Sequence, residues 1–296
     1  MRTLTASGLL LCATSLSACS INVDTEGFIV REEKRFAVEG IAELTLQTFD
    51  GGVEVRGWDR PEVLVEIEMR AEDKEAVSKI TVLAEQTGQK IQVDVRHSGT
   101  TRFVGIGVFT SPSARLIVSA PRTINLDIRT SDGSVVVERI DGKLQLRTAD
   151  GSIRATETAG DLLAESGDGS LTLEDVEGRV EARTTDGTIR VSGVPGVVRA
   201  RSGDGSIVLR IRRGAVMTED WMVATNDGSI SAELPDDFSG LIEAEPGSDS
   251  RARSDLKLED QVGGTREQRS LRGRLGAGGK TMVLRTGDGS IRLTQY

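Results

Sequence analysis

Thr148-Ala149-Asp150-Gly151-Ser152-Ile153 is one copy of a pattern, Ser/Thr-x-Asp-Gly-Ser/Thr-apolar, that returns every 18 residues. Its core pairs are Asp132-Gly133, Asp150-Gly151, Asp168-Gly169, Asp186-Gly187 and Asp204-Gly205. A fixed period of this size marks a stacked repeat, in which each unit buries its apolar side chains against its neighbours. Outward from each Asp, apolar or small residues stand six and four positions before it, as in Leu144 and Leu146 or Val180 and Ala182. Another pair stands three and five positions after it, as in Ile153 and Ala155 or Ile189 and Val191. Spacing of two is the strand period, with alternate side chains facing one core.

A second turn in each unit is predicted at Asp141-Gly142, Gly160-Asp161, Glu177-Gly178 and Pro195-Gly196. Each unit therefore reads as a rung of two short strands and two turns. The fold class is all-β: a β-solenoid, similar to a parallel β-helix, with 18-residue two-strand rungs. Further copies lie at Asp50-Gly51, Asp227-Gly228 and Asp288-Gly289. The glycine of each pair is expected to serve the turn through positive φ, and the Asp by bonding nearby backbone.

Four segments follow from this reading. Residues 1–18 read as a lipoprotein signal peptide and residues 19–36 as a lipidated cysteine with its tether. Residues 37–120 hold the first rung and an antiparallel excursion, with strand-like runs at 63–67, 91–95 and 116–118 and a helical or turn-like connection over 71–80. This N-terminal strand region is expected to cap one end of the stack, where an open edge invites aggregation. Residues 121–296 hold the repeats, interrupted at 236–280 by a Gly-, Ser-, Arg- and Asp-rich segment that reads as a loop insertion.

The signal peptide reading rests on Arg2, the apolar run from Leu9 to Ala13 and the small residues that follow. Leu16-Ser17-Ala18-Cys19 resembles the lipobox of bacterial lipoproteins, in which the cysteine is acylated and begins the mature chain. Lipidation is therefore expected at Cys19, making the membrane a partner, with Ser20 compatible with the outer membrane. Cys12 falls within the removed segment, so an acylated Cys19 leaves no thiol for disulfide or redox chemistry. A net charge of −9 argues against a nucleic-acid partner.

Together with the lipobox, the rung Asp50-Gly51-Gly52-Val53-Glu54-Val55, the Gly57-Trp58-Asp59 step and the serial Asp-Gly-Ser-Ile turns resemble a bacterial family of unknown function that carries an adhesin label. The resemblance covers residues 37–296. It implies β-helical domains and a place in the cell envelope, and it brings no catalytic residues to carry over.

Three columns are candidates for chemistry. The aspartates would stand about 4.8 Å apart in a stack and repel by about 0.9 kcal/mol per neighbour even in water. Turn amides, side chains or a cation must offset that, so a cation-binding β-roll stays open, although the glycine-dense calcium repeat is missing and no metal site is assigned. Hydroxyls at Thr130, Thr148, Ser166, Thr184, Ser202, Thr225 and Thr286 stand two positions before the Asp and are expected to bond turn amides or one another. Outward-facing Arg129, Arg147, Arg183, Arg201 and Arg285 stand three before it. They form either a binding stripe for a glycan or an envelope protein, or a self-paired column in which Glu165 bridges two arginines.

His97 is the sole histidine and lies outside the repeats, and Trp58 and Trp221 are too separated for a sugar-stacking platform, Trp221 reading as core. No cofactor and no catalytic residue are assigned. The functional expectation is a non-catalytic, lipid-anchored protein of the cell envelope, adhesin-like or scaffolding; the alternatives are a polysaccharide-active β-helix lyase or hydrolase, and the β-roll.

Overall fold

A computed structural model describes residues 19–24, 27–99, 111–248, 250–263 and 269–296. The signal peptide read at 1–18 lies outside the described residues. The chain is all-β apart from one four-residue helix.

The first part contributes β1 (Cys19–Asp24), β2 (Gly27–Ala37), β3 (Glu43–Thr48), β4 (Val53–Trp58) and β5 (Glu62–Ala71). Helix α1 (Lys74–Val77) follows, capped by the Asp73 carboxylate accepting from the Ala76 amide at 2.7 Å. Then come β6 (Ile80–Thr87), β7 (Lys90–His97), β8 (Ser113–Pro121), β9 (Asn125–Thr130), β10 (Val135–Glu138) and β11 (Asp141–Thr148). The centre is formed by β12 (Ile153–Ser166), β13 (Leu171–Thr184), β14 (Ile189–Ser202) and β15 (Ile207–Ile211). Last are β16 (Trp221–Thr225), β17 (Ile230–Leu234), β18 (Gly240–Glu245), β19 (Ala252–Ser254), β20 (Glu259–Gly263), β21 (Leu271–Leu275), β22 (Thr281–Thr286) and β23 (Ile291–Gln295).

These strands hydrogen-bond as two ladders joined through β12, β13 and β14. The first includes the strands that lead into the Asp-Gly turns, in the order β6-β7-β3-β9-β11-β12-β13-β14-β16-β22-β18-β21-β20. The second includes the strands that leave them, in the order β1-β2-β5-β8-β4-β10-β12-β13-β14-β15-β17-β23-β19. Pairing is parallel through the middle of both and antiparallel at β6–β7, at β1–β2–β5–β8 and at β18–β21–β20.

The register carries the period directly. Leu144 pairs with Leu162, Leu162 with Val180 and Val180 with Val198. Their inward side chains, with Ile153, Leu171, Ile189 and Ile207 of the second ladder, join one buried cluster. Each fully buried Leu, Ile or Val contributes about 1.5–3 kcal/mol, so the stack rests chiefly on these two facing rows.

Four features depart from the expectations. In three rungs the second turn is a corner inside one continuous strand: β12, β13 and β14 are each 14 residues long. Each corner pairs with the corner of the next layer (Ala159 with Glu177, Gly160 with Gly178), so the ladder runs through the bend. The bend is made at Arg139, Glu157 and Asp175, whose φ values are 58°, 54° and 56°; Gly193 takes that place in the next layer.

Second, residues 236–280 are not a loop insertion but contain β18 to β21, with Ile242, Ala244, Leu256, Leu271 and Leu275 buried. Short apolar alternations such as Leu271-Arg272-Gly273-Arg274-Leu275 sit within a polar composition, and composition masked them. Third, the tether read over 19–36 includes β1 and β2, with Arg35 of β2 paired in register with Leu64 of β5. Fourth, the layers do not follow chain order. The early rung β3/β4 stands between β7/β8 and β9/β10, and the last rung β22/β23 stands between β16/β17 and β18/β19.

Candidate functional site

The Asp-Gly turns stack into a single column. The Thr184 hydroxyl donates to Gly169 O of the preceding turn at 2.9 Å and accepts from the Gly187 amide of its own turn at 3.2 Å. The same double link runs through Thr148 to Gly133, Ser166 to Gly151, Ser202 to Gly187, Thr225 to Gly205 and Thr286 to Gly228. Thr130 begins it on Gly51 O at 3.0 Å. All seven hydroxyl residues are buried. A Ser or Thr at this position supplies one donor and acceptors at once, which is what a column with a carbonyl below and an amide above requires.

The glycines differ from expectation in their reason. Gly133, Gly151, Gly169, Gly187, Gly205, Gly228 and Gly289 have no left-handed φ; Gly51 alone in this column does, at 114°. A Cβ on Gly187 would lie less than 3.0 Å from the Gly169 carbonyl oxygen, and the other six meet the preceding glycine in the same way. Close stacking of backbone on backbone, not turn conformation, selects glycine.

The carboxylates of Asp132, Asp150, Asp168, Asp186, Asp204, Asp227 and Asp288 are exposed along this corner, and Asp50 is half-buried. Burial first, then the charge of Asp132, raises the Asp50 carboxyl above its ordinary value, against a bond from the Gly51 amide. Among the described residues no three His, Cys, Asp or Glu side chains are placed to share a metal.

The outward arginines lie on the strands entering the turns, Arg129 beside Arg147 and Arg183 beside Arg201. Glu165 lies between Arg147 and Arg183 and accepts from them at 2.8 and 2.7 Å. Burial pushes the Glu165 carboxyl up, but the hydrogen bonds from Arg183 and Arg147 outweigh it and hold the group below the usual value. Arg129 pairs with Asp127 at 2.7 Å and Arg285 with Glu245 at 2.6 Å. Arg201 alone of this column has no ion pair among the described residues.

Cys19 stands at the start of β1. His97 ends β7 and stacks on Phe49, ring centroids 5.4 Å apart. Trp221 is fully buried, its Nε1 donating to Gly196 O at 3.0 Å. Trp58 donates to Glu62 O at 2.8 Å, lies under the Arg60 guanidinium and lines a cavity of about 430 Å³ with Ile41, Pro61 and Pro121.

This arrangement of Asp-Gly turns spans the region that matches a known family: residues 41–294 match Toastrack DUF4097. The chain belongs to the Toastrack family. Solved structures similar to this Toastrack chain include a candidate adhesin from Bacteroides fragilis and one from Parabacteroides distasonis. Each is 12% identical, the match covering 90% of this chain and 97% of the other at a TM-score of 0.39. A candidate cell adhesion protein from Clostridium sporogenes is 11% identical over 96% of this chain and 100% of that one, with a TM-score of 0.27. At these values the likeness carries no argument about function. No curated protein matches.

Two features of this Toastrack member were not found from sequence. The buried Asp94 lies across from Gln47 at the foot of the arginine column and pairs with Arg96. At the far end, Arg251, Arg253 and Arg292 gather around one cavity. In both cases the signal is a pairing between layers distant in the chain, invisible to an 18-residue period.

Proposed function

We propose that this Toastrack chain is a lipid-anchored β-solenoid of the cell envelope that works by binding, as an adhesin-like or scaffolding protein. In this reading residues 1–18 are removed on export and Cys19 carries lipid. The layers that carry the turns from Asp132 to Asp204 form 18-residue rungs. The ligand is a glycan or an envelope protein, and the location is the outer membrane.

One observation carries the reading. The hydroxyls that recur in every rung are buried and spent on backbone, each joining one turn to the next. A chain that commits its recurrent polar groups in this way builds a rigid rod whose outer faces are free to vary, the pattern of repeat proteins that bind along an extended surface. Further support comes from Leu16-Ser17-Ala18-Cys19, which resembles a lipobox.

Protease treatment of intact and lysed cells tests this. Degradation on intact cells supports a surface adhesin, and protection until lysis supports a scaffold inside the envelope. Recovery of the chain in the cytosol, unlipidated and with residues 1–18 retained, contradicts the proposal.

A further inference from the structure

The second ladder ends where β19 pairs in parallel with β23, and that register sets Arg253 directly beside Arg292. Arg251 immediately precedes β19, two residues before Arg253. All three arginines are exposed, and with Ser250 and Ser290 they line a cavity of about 410 Å³.

Most outward arginines of the stack are set against carboxylates: Arg210 against Glu233 at 2.7 Å, Arg147 and Arg183 against Glu165, Arg285 against Glu245. Among the described residues Arg251, Arg253 and Arg292 meet no carboxylate, on a chain with a net charge of −9. Like charges directly opposite one another on neighbouring strands are destabilising. Three such cations around one hollow leave an anion-shaped gap.

We propose that Arg251, Arg253 and Arg292 bind a phosphate group, with the Ser250 and Ser290 hydroxyls as further donors. Guanidinium forks match oxyanions with paired hydrogen bonds, and a phosphate offers close to two negative charges and three acceptor oxygens to three cations, where a carboxylate offers one charge and two oxygens. The site stands at the opposite end of the second ladder from β1, the strand that begins at Cys19. If Cys19 is lipidated, the phosphate is therefore presented from something other than the membrane holding the anchor.

Calorimetric titration of the full chain with inorganic phosphate, at ionic strength held constant with chloride, tests the site. Sedimentation with phosphatidylcholine vesicles, with and without phosphatidic acid, runs in parallel. The expected result is saturable phosphate binding that weakens about tenfold or more in the Arg253→Gln/Arg292→Gln double variant and less in the double lysine variant. Because the double glutamine variant removes like-charge repulsion, its melting temperature without phosphate is expected to equal or exceed that of the parent, and added phosphate is expected to raise only the parent's. Arginine-dependent sedimentation with phosphatidic acid identifies a lipid headgroup, and binding of free phosphate alone identifies a soluble source; either supports the site. Absence of saturable binding in both arms overturns it, as does binding indifferent to the double variant or acetate binding as tightly as phosphate.

Discussion

The Ser202 hydroxyl and the Gly187 carbonyl oxygen lie 3.0 Å apart although 15 residues separate them. The same hydroxyl accepts from the Gly205 amide at 3.0 Å. One side chain thus ties two successive turns together, at a buried point where neither glycine group reaches water.

Ser202→Ala leaves that carbonyl and that amide without their buried partner, which costs about 1–3 kcal/mol. Ser202→Thr keeps the hydroxyl and matches Thr184 one layer earlier, so it is expected to be close to neutral. Denaturant unfolding checks both; an alanine variant as stable as the parent contradicts the role given to the hydroxyl.

Gly187→Ala is expected to be more damaging than Gly88→Ala. Gly88 has a φ of 61° with nothing within 4 Å of an added Cβ, so alanine there meets only backbone strain of about 1–2 kcal/mol. At Gly187 the conformation suits any residue, but the added carbon collides with the Gly169 carbonyl. Melting temperatures in the reverse order contradict the stacking explanation.

Thr158 is buried and its Oγ1 has no hydrogen-bond partner, while its register neighbour in the next layer is Val176. Thr158→Val replaces an unsatisfied hydroxyl with the group already used one layer on, and is expected to stabilise by about 1 kcal/mol. A loss of stability in the same denaturant assay counts against the packing described here.

Glu165, held below its ordinary value by Arg183 and Arg147 against the effect of burial, contributes stability above the normal glutamate range. That contribution is lost as pH falls through its lowered folded-state value. Glu165→Gln is expected to cost about 0–1 kcal/mol near neutrality at low salt, and the difference is expected to shrink at high salt and at acid pH. A difference that grows on acidification contradicts the sign.

The strands and their inward faces were legible in the sequence because alternation and period act locally: Leu144, Leu162, Val180 and Val198 declare both face and register. The layer order was not legible. Every rung offers a similar apolar edge, so nothing local tells β22 to stand beside β16 or β3 beside β9. The glycines were legible as essential but for a different reason, since a collision with Gly169 exists only once the turns are stacked. Arg253 and Arg292 lie 39 positions apart, a spacing outside the 18-residue period, and only the register of β19 on β23 brings them together.

The proposed layers are interchangeable units of 18 residues, locked turn to turn by the hydroxyl column. Removing residues 151–168 joins Asp150 to Gly169 and sets β11 and β10 against β13 in the register they now share with β12. Circular dichroism and thermal melting of this variant are predicted to show a folded β-protein with a cooperative transition. Removing only residues 160–168 breaks the register and is predicted to abolish that transition. If the two deletions are equally disruptive, or equally tolerated, the claim is contradicted.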